Sequence, residues 1–174
     1  KNSRLYKAIT NKNLSTGVEG ELGIFHDPSM HMVFAPLAPG AKHEEVEAII
    51  VGTASPDTPF PSTACVIQAR LGAIGGAAFD LTAACAGFLY ALTLGNDAIA
   101  AGRYRRVLCV GAETLTRITN YRDRGTCILF GDAAGAVLLG PPDTPGGHKI
   151  LYTRLYADGR QGHLLNQPAG GSRR

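Results

Sequence analysis

Cys85 lies in the run Phe79-Asp80-Leu81-Thr82-Ala83-Ala84-Cys85-Ala86-Gly87-Phe88, where an apolar strand pattern passes directly into an apolar helix pattern. The first amides of a helix have no internal acceptor and carry the positive end of its dipole, so a cysteine there is favoured as thiolate. A cysteine in that position is a candidate nucleophile. Ala83, Ala84, Ala86 and Gly87 are small and leave room for a substrate to approach the sulfur. The other reading of the same residues is a buried structural cysteine, a role that free cysteines often fill.

No second constellation competes with it. Cys65, Cys85, Cys109 and Cys127 are widely spaced, without a CxxC pair or a Cys/His cluster, so no metal is expected. Cys65 and Cys109 read as small core residues. His26, His31, His43, His148 and His163 read as surface or loop histidines. Arg103-Tyr104-Arg105-Arg106 is the one dense basic cluster. With a net charge of only +3, it reads as a solvated connection rather than a nucleic-acid surface. No secretory signal is recognised, and no apolar stretch reaches the roughly 18 residues of a membrane span. A reducing, cytoplasmic compartment is expected.

The elements that must position Cys85 follow from periodicity. At 174 residues, 45% of them hydrophobic and 18% charged, the chain is sized for one well-cored globular domain. Residues 46–53 form a β-branched run typical of a buried strand. Three prolines make 55–61 a loop. Residues 62–71 read as a helix capped by Ser62 and stopped by Gly72. Residues 77–81 form the next strand. A helix over 84–101, apolar nearly all round, should be central. Further strands are expected at 107–112, 127–130, 134–139 and 150–156. Residues 1–23 show no sustained period, and 23–34 allow a short strand or hairpin around Asp27-Pro28-Ser29. The expected class is α/β, with a mostly parallel mixed sheet packed by helices and a central buried helix behind the cysteine. Residues 1–40 form an atypical head, 41–168 the main domain and 169–174 a tail.

From about residue 44 to 168 the chain resembles the N-terminal half of a β-ketoacyl-acyl-carrier-protein synthase III, of the thiolase-like superfamily. The resemblance rests on Phe60-Pro61-Ser62, the Asp80–Phe88 run, Val110-Gly111-Ala112-Glu113, Asp123-Arg124-Gly125-Thr126, Phe130-Gly131-Asp132-Ala133-Ala134-Gly135-Ala136 and Tyr156-Ala157-Asp158-Gly159. It implies an acyltransferase that starts fatty-acid chains. An acyl group passes from acyl-CoA, a substrate rather than a cofactor, to Cys85, and malonyl-acyl carrier protein then condenses with it after losing CO₂. The Cys85 amide would supply one oxyanion-hole donor. Arg124, followed by Gly125, matches a position that contacts the nucleotide end of coenzyme A, by stacking or phosphate pairing. Its alternative is a loop arginine paired with Asp123 or Glu113. Phe60 matches a residue that reaches across a homodimer interface toward the neighbour's acyl pocket, the alternative being an aromatic that anchors its own subunit. Gly131, Asp132 and Gly135 would fix a tight backbone path.

The resemblance also marks departures. The family's His-Gln-Ala-Asn and Gly-Asn-Thr-Ser runs, whose side chains stabilise the enolate of decarboxylation, do not occur in this sequence. The family's Trp-containing segment near its start is also missing, because the chain has no Trp. The expectation is therefore one thiolase-like half, a truncated product or one whose helix face is covered by another chain. Two other functions remain open: a non-catalytic or dimerisation remnant, and a thiolase-like synthase of another ketide or hydroxymethylglutaryl type.

Overall fold

The computed structural model describes residues 19–23, 30–34, 45–143 and 147–172. β1 (Glu19–Gly23) and β2 (Met30–Phe34) pair antiparallel, with Glu19 opposite Phe34 and Gly23 opposite Met30. This is the hairpin expected near 23–34, although its first strand lies in the stretch read as aperiodic. Asp27-Pro28-Ser29 lies outside the described residues.

A separate four-stranded sheet has the order β4-β3-β5-β6. β3 (Ala48–Gly52) is buried along its whole length, as its β-branched run requires. It pairs in parallel with β4 (Ala77–Leu81) on one side and β5 (Val107–Thr114) on the other. β6 (Asp132–Leu139) runs antiparallel to β5, from Thr114↔Asp132 to Val107↔Leu139. The sheet is thus mixed and mostly parallel.

Alternate residues of β3 face two cores. Ile49 and Val51 pack with Ala64 of α1 (Thr63–Leu71), whereas Ala48 and Ile50 pack with Ala91 of α2 (Gly87–Ala100). Because β4 and β5 flank β3 on opposite sides, crossovers of one hand must place their helices on opposite faces. Ser62 Oγ accepts from Cys65 N at 3.2 Å, and Gly72 closes α1 at φ 70°, the left-handed stop read from the sequence. Asp80 adds what a single strand pattern hides. Its carboxylate accepts from Thr63 N and Ala64 N, each at 2.8 Å, and so fastens the start of α1 to β4. Asp80→Ala orphans both amides and should lower unfolding stability by about 2 kcal/mol, read from the urea midpoint.

α2 seats on the sheet through Gly87, Ala91 and Gly95, four residues apart along one stripe. The expected all-round burial holds on that face only, since Leu89 and Leu94 are 60% and 44% exposed. Two expected strands are absent. Residues 127–130 form instead a 3-10 turn, Cys127–Leu129, because β6 already occupies the edge beside β5 and begins only at Asp132. Residues 150–156 carry strand-like residues but pair with no strand among the described residues, and Leu151 and Tyr156 stand exposed. Among these residues no helix is long and apolar enough to cross a membrane.

Candidate active site

The carboxyl ends of β3, β4 and β5 lie along one edge of the sheet, and each opens into a loop that carries one of the residues singled out above. Phe60 follows β3, Cys85 follows β4, and Arg124 with Gly125 follows β5. The connection after β3 leads to β4 on one side, while the loop after β5 leads to β6 on the other. Adjacent parallel strands whose connections diverge leave a crevice at their carboxyl ends, where α/β sheets bind ligands.

Cys85 does not start the α-helix itself. It occupies a 3-10 turn, Ala84–Ala86, one step ahead of α2. Ala84 adopts φ 45°, a left-handed conformation unfavourable for a residue with a Cβ. Ala86 N donates to Ala83 O at 3.0 Å and Gly87 N to Ala84 O, which leaves the Cys85 amide outside the turn's own bonds. The thiol is exposed, so the buried-structural reading of this cysteine fails.

The turn is held from below. Ideal Cβ atoms built on Gly52 and Gly87 show how tightly: at Gly52 it would lie 2.4 Å from Gly87 C, and at Gly87 3.3 Å from Gly52 Cα. The end of β3 therefore touches the start of α2 backbone to backbone, where glycine alone fits. Thr53 N donates to Leu81 O at 3.1 Å, and Thr82 Oγ1 donates to Thr53 O at 3.3 Å, so β3 also grips the strand that leads to Cys85.

Cys109 is the contrasting thiol. It is fully buried, its Sγ donates to Ala91 O at 3.3 Å, and desolvation pushes its pKa up to about 12. Cys65, expected in the core, is half-buried on α1, with Sγ donating to Ala78 O at 3.6 Å. Iodoacetamide at neutral pH should therefore modify Cys85 in the folded chain and spare Cys109 until denaturant is added, as peptide mass spectrometry would read. Equal modification of both would contradict this burial pattern.

Arg124 is exposed and forms no ion pair among the described residues. The carboxylates that could have claimed it are engaged elsewhere. Asp123 accepts from Thr126 Oγ1 at 2.7 Å and Gly125 N at 3.0 Å, and these bonds, the threonine's first, hold its carboxyl below the usual range. Glu113 accepts from Ala54 N at 2.9 Å and Ser55 Oγ at 2.5 Å. Asp132 accepts from Thr116 N at 2.8 Å and Thr116 Oγ1 at 2.6 Å, closing the neck of the loop that bears Arg124. Phe60 is 84% exposed and so does not anchor its own subunit. Arg117 links the two loops through Asp57 at 3.2 Å. Among the described residues no group of three His, Cys, Asp or Glu side chains could hold a metal.

The Val110–Glu113 run alone gives Glu113 no role at the site, and nothing in the sequence around Gly52 marks it. The signal for Glu113 was an acid at the end of one parallel strand facing the Thr/Ser pair that follows its neighbour.

Residues 79–159 match the family model of 3-oxoacyl-[acyl-carrier-protein] synthase III. The β-ketoacyl-[acyl-carrier-protein] synthase III of Caldanaerobacter subterraneus subsp. tengcongensis is 51% identical over 132 residues, covering 76% of this chain and 39% of the relative. The synonymous protein of Xanthomonas campestris pv. campestris is 52% identical over 133 residues, covering 76% and 40%. The crystal structure of 3-oxoacyl-(acyl carrier protein) synthase III from Pseudomonas aeruginosa PAO1 superposes with a TM-score of 0.68 at 41% identity, over 74% of this chain and 40% of that one. The Aquifex aeolicus VF5 structure gives 0.63 at 46% identity, over 71% and 38%. The chain thus spans about two-fifths of the length of the curated relatives it matches.

A mixed α/β sheet with a helix on each face, and a cysteine-bearing turn at its carboxyl edge, is a half of the thiolase-like fold. Within that class, residues 79–159 match the β-ketoacyl-acyl-carrier-protein synthase III family, to which the relatives at 51% and 52% identity belong by name.

Proposed function

We propose that this chain carries the acyl-accepting part of a synthase III that initiates fatty-acid chains. The observation that supports it most is the exposed Cys85 in the 3-10 turn ahead of α2, next to the left-handed Ala84 and within the segment that matches the family. In this reading the Cys85 thiolate attacks the carbonyl carbon of an acyl-CoA thioester. The coenzyme A thiolate leaves, and the acyl group remains on sulfur as a new thioester. The Cys85 amide, outside the turn's own bonds, donates to the oxyanion of the tetrahedral intermediate. Arg124, with Gly125 shaping the tip of its loop, takes the nucleotide end of coenzyme A, because an exposed guanidinium that forms no ion pair among the described residues can stack or pair with phosphate. Phe60 projects toward the acyl pocket of a homodimer partner.

Decarboxylative condensation with malonyl-acyl carrier protein is the second step of the same reading. The enolate-stabilising His-Gln-Ala-Asn and Gly-Asn-Thr-Ser runs do not occur in this sequence, so its own residues account for acyl transfer to Cys85. No metal or further cofactor takes part, and the cytoplasm is the compartment proposed.

The test is to mix the purified chain with radiolabelled acetyl-CoA and follow protein-bound label and coenzyme A release together. Label on the peptide containing Cys85, matched by free coenzyme A, is the expected result. No label on that peptide would sink autonomous acyl transfer and leave the non-catalytic reading.

A further inference from the structure

We infer that Glu113 is a positioning residue for Cys85, acting through the strand end between them, an inference that rests on Cys85 accepting acyl groups. Glu113 closes the exit of β5 and is half-buried. Its carboxylate takes Ala54 N at 2.9 Å, Ser55 Oγ at 2.5 Å and Thr53 Oγ1 at 3.5 Å, all from the bend that follows β3. Ser55 returns the contact, accepting from Thr114 N at 2.8 Å, and Thr114 Oγ1 donates to Ser55 O at 3.3 Å.

The far side of that bend supports the cysteine turn. Thr53 bonds Leu81 and Thr82, three residues before Cys85, and Gly52 touches the backbone of Gly87 and Phe88, just after it. One short stretch, residues 52–55, is therefore clamped by Glu113 on the β5 side and holds both ends of the Cys85 turn on the other. A carboxylate suits the task because it is acceptor-only, with lone pairs enough for an amide and two hydroxyls at once. Removing it leaves the Ala54 amide and the Ser55 hydroxyl to find new partners, and the bend can shift. A displacement near 1 Å at a reacting atom can slow a reaction by about 100-fold.

Glu113→Ala should slow acylation of Cys85 by acetyl-CoA roughly 10- to 100-fold, with the half-saturating acetyl-CoA concentration held within about twofold. Glu113→Gln should restore the rate to within about threefold, since its amide keeps one acceptor and the rotatable hydroxyls can accept from its NH₂. Gln68→Ala is the structural control. It removes the 2.6 Å bond from Nε2 to Gly76 O at the opposite edge of the sheet and should leave acylation unchanged. In every variant, iodoacetamide should still spare Cys109, which reports an intact fold. Glu113→Ala acylating at the wild-type rate would overturn the inference, and so would a loss that Gln68→Ala reproduces or one accompanied by Cys109 modification. If wild-type chain takes no acyl label, it is the proposed function that fails. The inference is then decided by iodoacetamide alone: Glu113→Ala must change the Cys85 modification rate at least threefold with Cys109 still protected, and an unchanged rate overturns it.

Discussion

Gly52→Ala is expected to destabilise the chain by about 3 kcal/mol and to disorganise the cysteine turn at the same time. The added Cβ would stand 2.4 Å from Gly87 C, 2.6 Å from Gly87 O and 2.8 Å from Phe88 N. All three are backbone atoms, so no side-chain rotamer can relieve the overlap. β3 is buried at every position and cannot retreat, which leaves α2 to move. Gly111, whose Cβ would meet Phe88 Cβ at 3.2 Å, makes the same seat tight from the neighbouring strand. Urea denaturation should show the loss as a lower midpoint with little change in slope. Gly135→Ala, on exposed β6 with nothing within 4 Å of the new Cβ, should leave the midpoint unchanged to about 0.5 kcal/mol. Equal midpoints for Gly52→Ala and wild type would mean that the backbone contact between β3 and α2 is looser than the structure has it.

The same contact explains how much of the site was legible in the sequence. Strands β3 and β5 could be read because buried parallel strands leave apolar runs, β4 from the short run ahead of Cys85 despite its partial exposure, and α1 because Ser62 and Gly72 mark its ends. Cys85 stood out because a strand pattern passed into a helix pattern without a linker. The left-handed Ala84, the 3-10 turn and the close approach of Gly52 to Gly87 could not be read, since each depends on two segments meeting in space. Residues 127–130 and 150–156 misled for a related reason. Their composition suits strands, but a strand exists only where a partner offers its ladder, and the described sheet ends at β6. Glu113 is visible in its motif, but its bonds are not. An acid at a strand end reads as solvated until the facing loop is known to turn an amide and two hydroxyls toward it.

Cys85→Ser should reduce transfer of the acetyl group from acetyl-CoA to this position by on the order of 10³-fold or more. The exchange keeps the size and the turn, because the residue is exposed and its side chain packs against no core. What changes is the nucleophile. A thiol ionises far more readily than an alcohol and is the stronger nucleophile, whereas an alcohol needs a general base to be activated. Among the residues that bond to this turn and its support, none is a histidine: Leu81, Thr82, Thr53, Ser55 and Glu113 form the set. Glu113 is already committed to three donors and lies on the other side of the bend. Serine would therefore be left as a neutral hydroxyl. The forward and reverse steps are also unequal, because an oxygen ester on serine would not return its acyl group to a thiol as readily as the thioester does. Burst measurements of coenzyme A release, with intact-mass detection of the acetylated chain, give the comparison directly. Thermal melting within a few degrees of wild type would show that the fold is unchanged. A serine variant acetylated at more than about one-tenth of the wild-type rate would place the acceptor on another residue, and the Cys85 turn would then be structural.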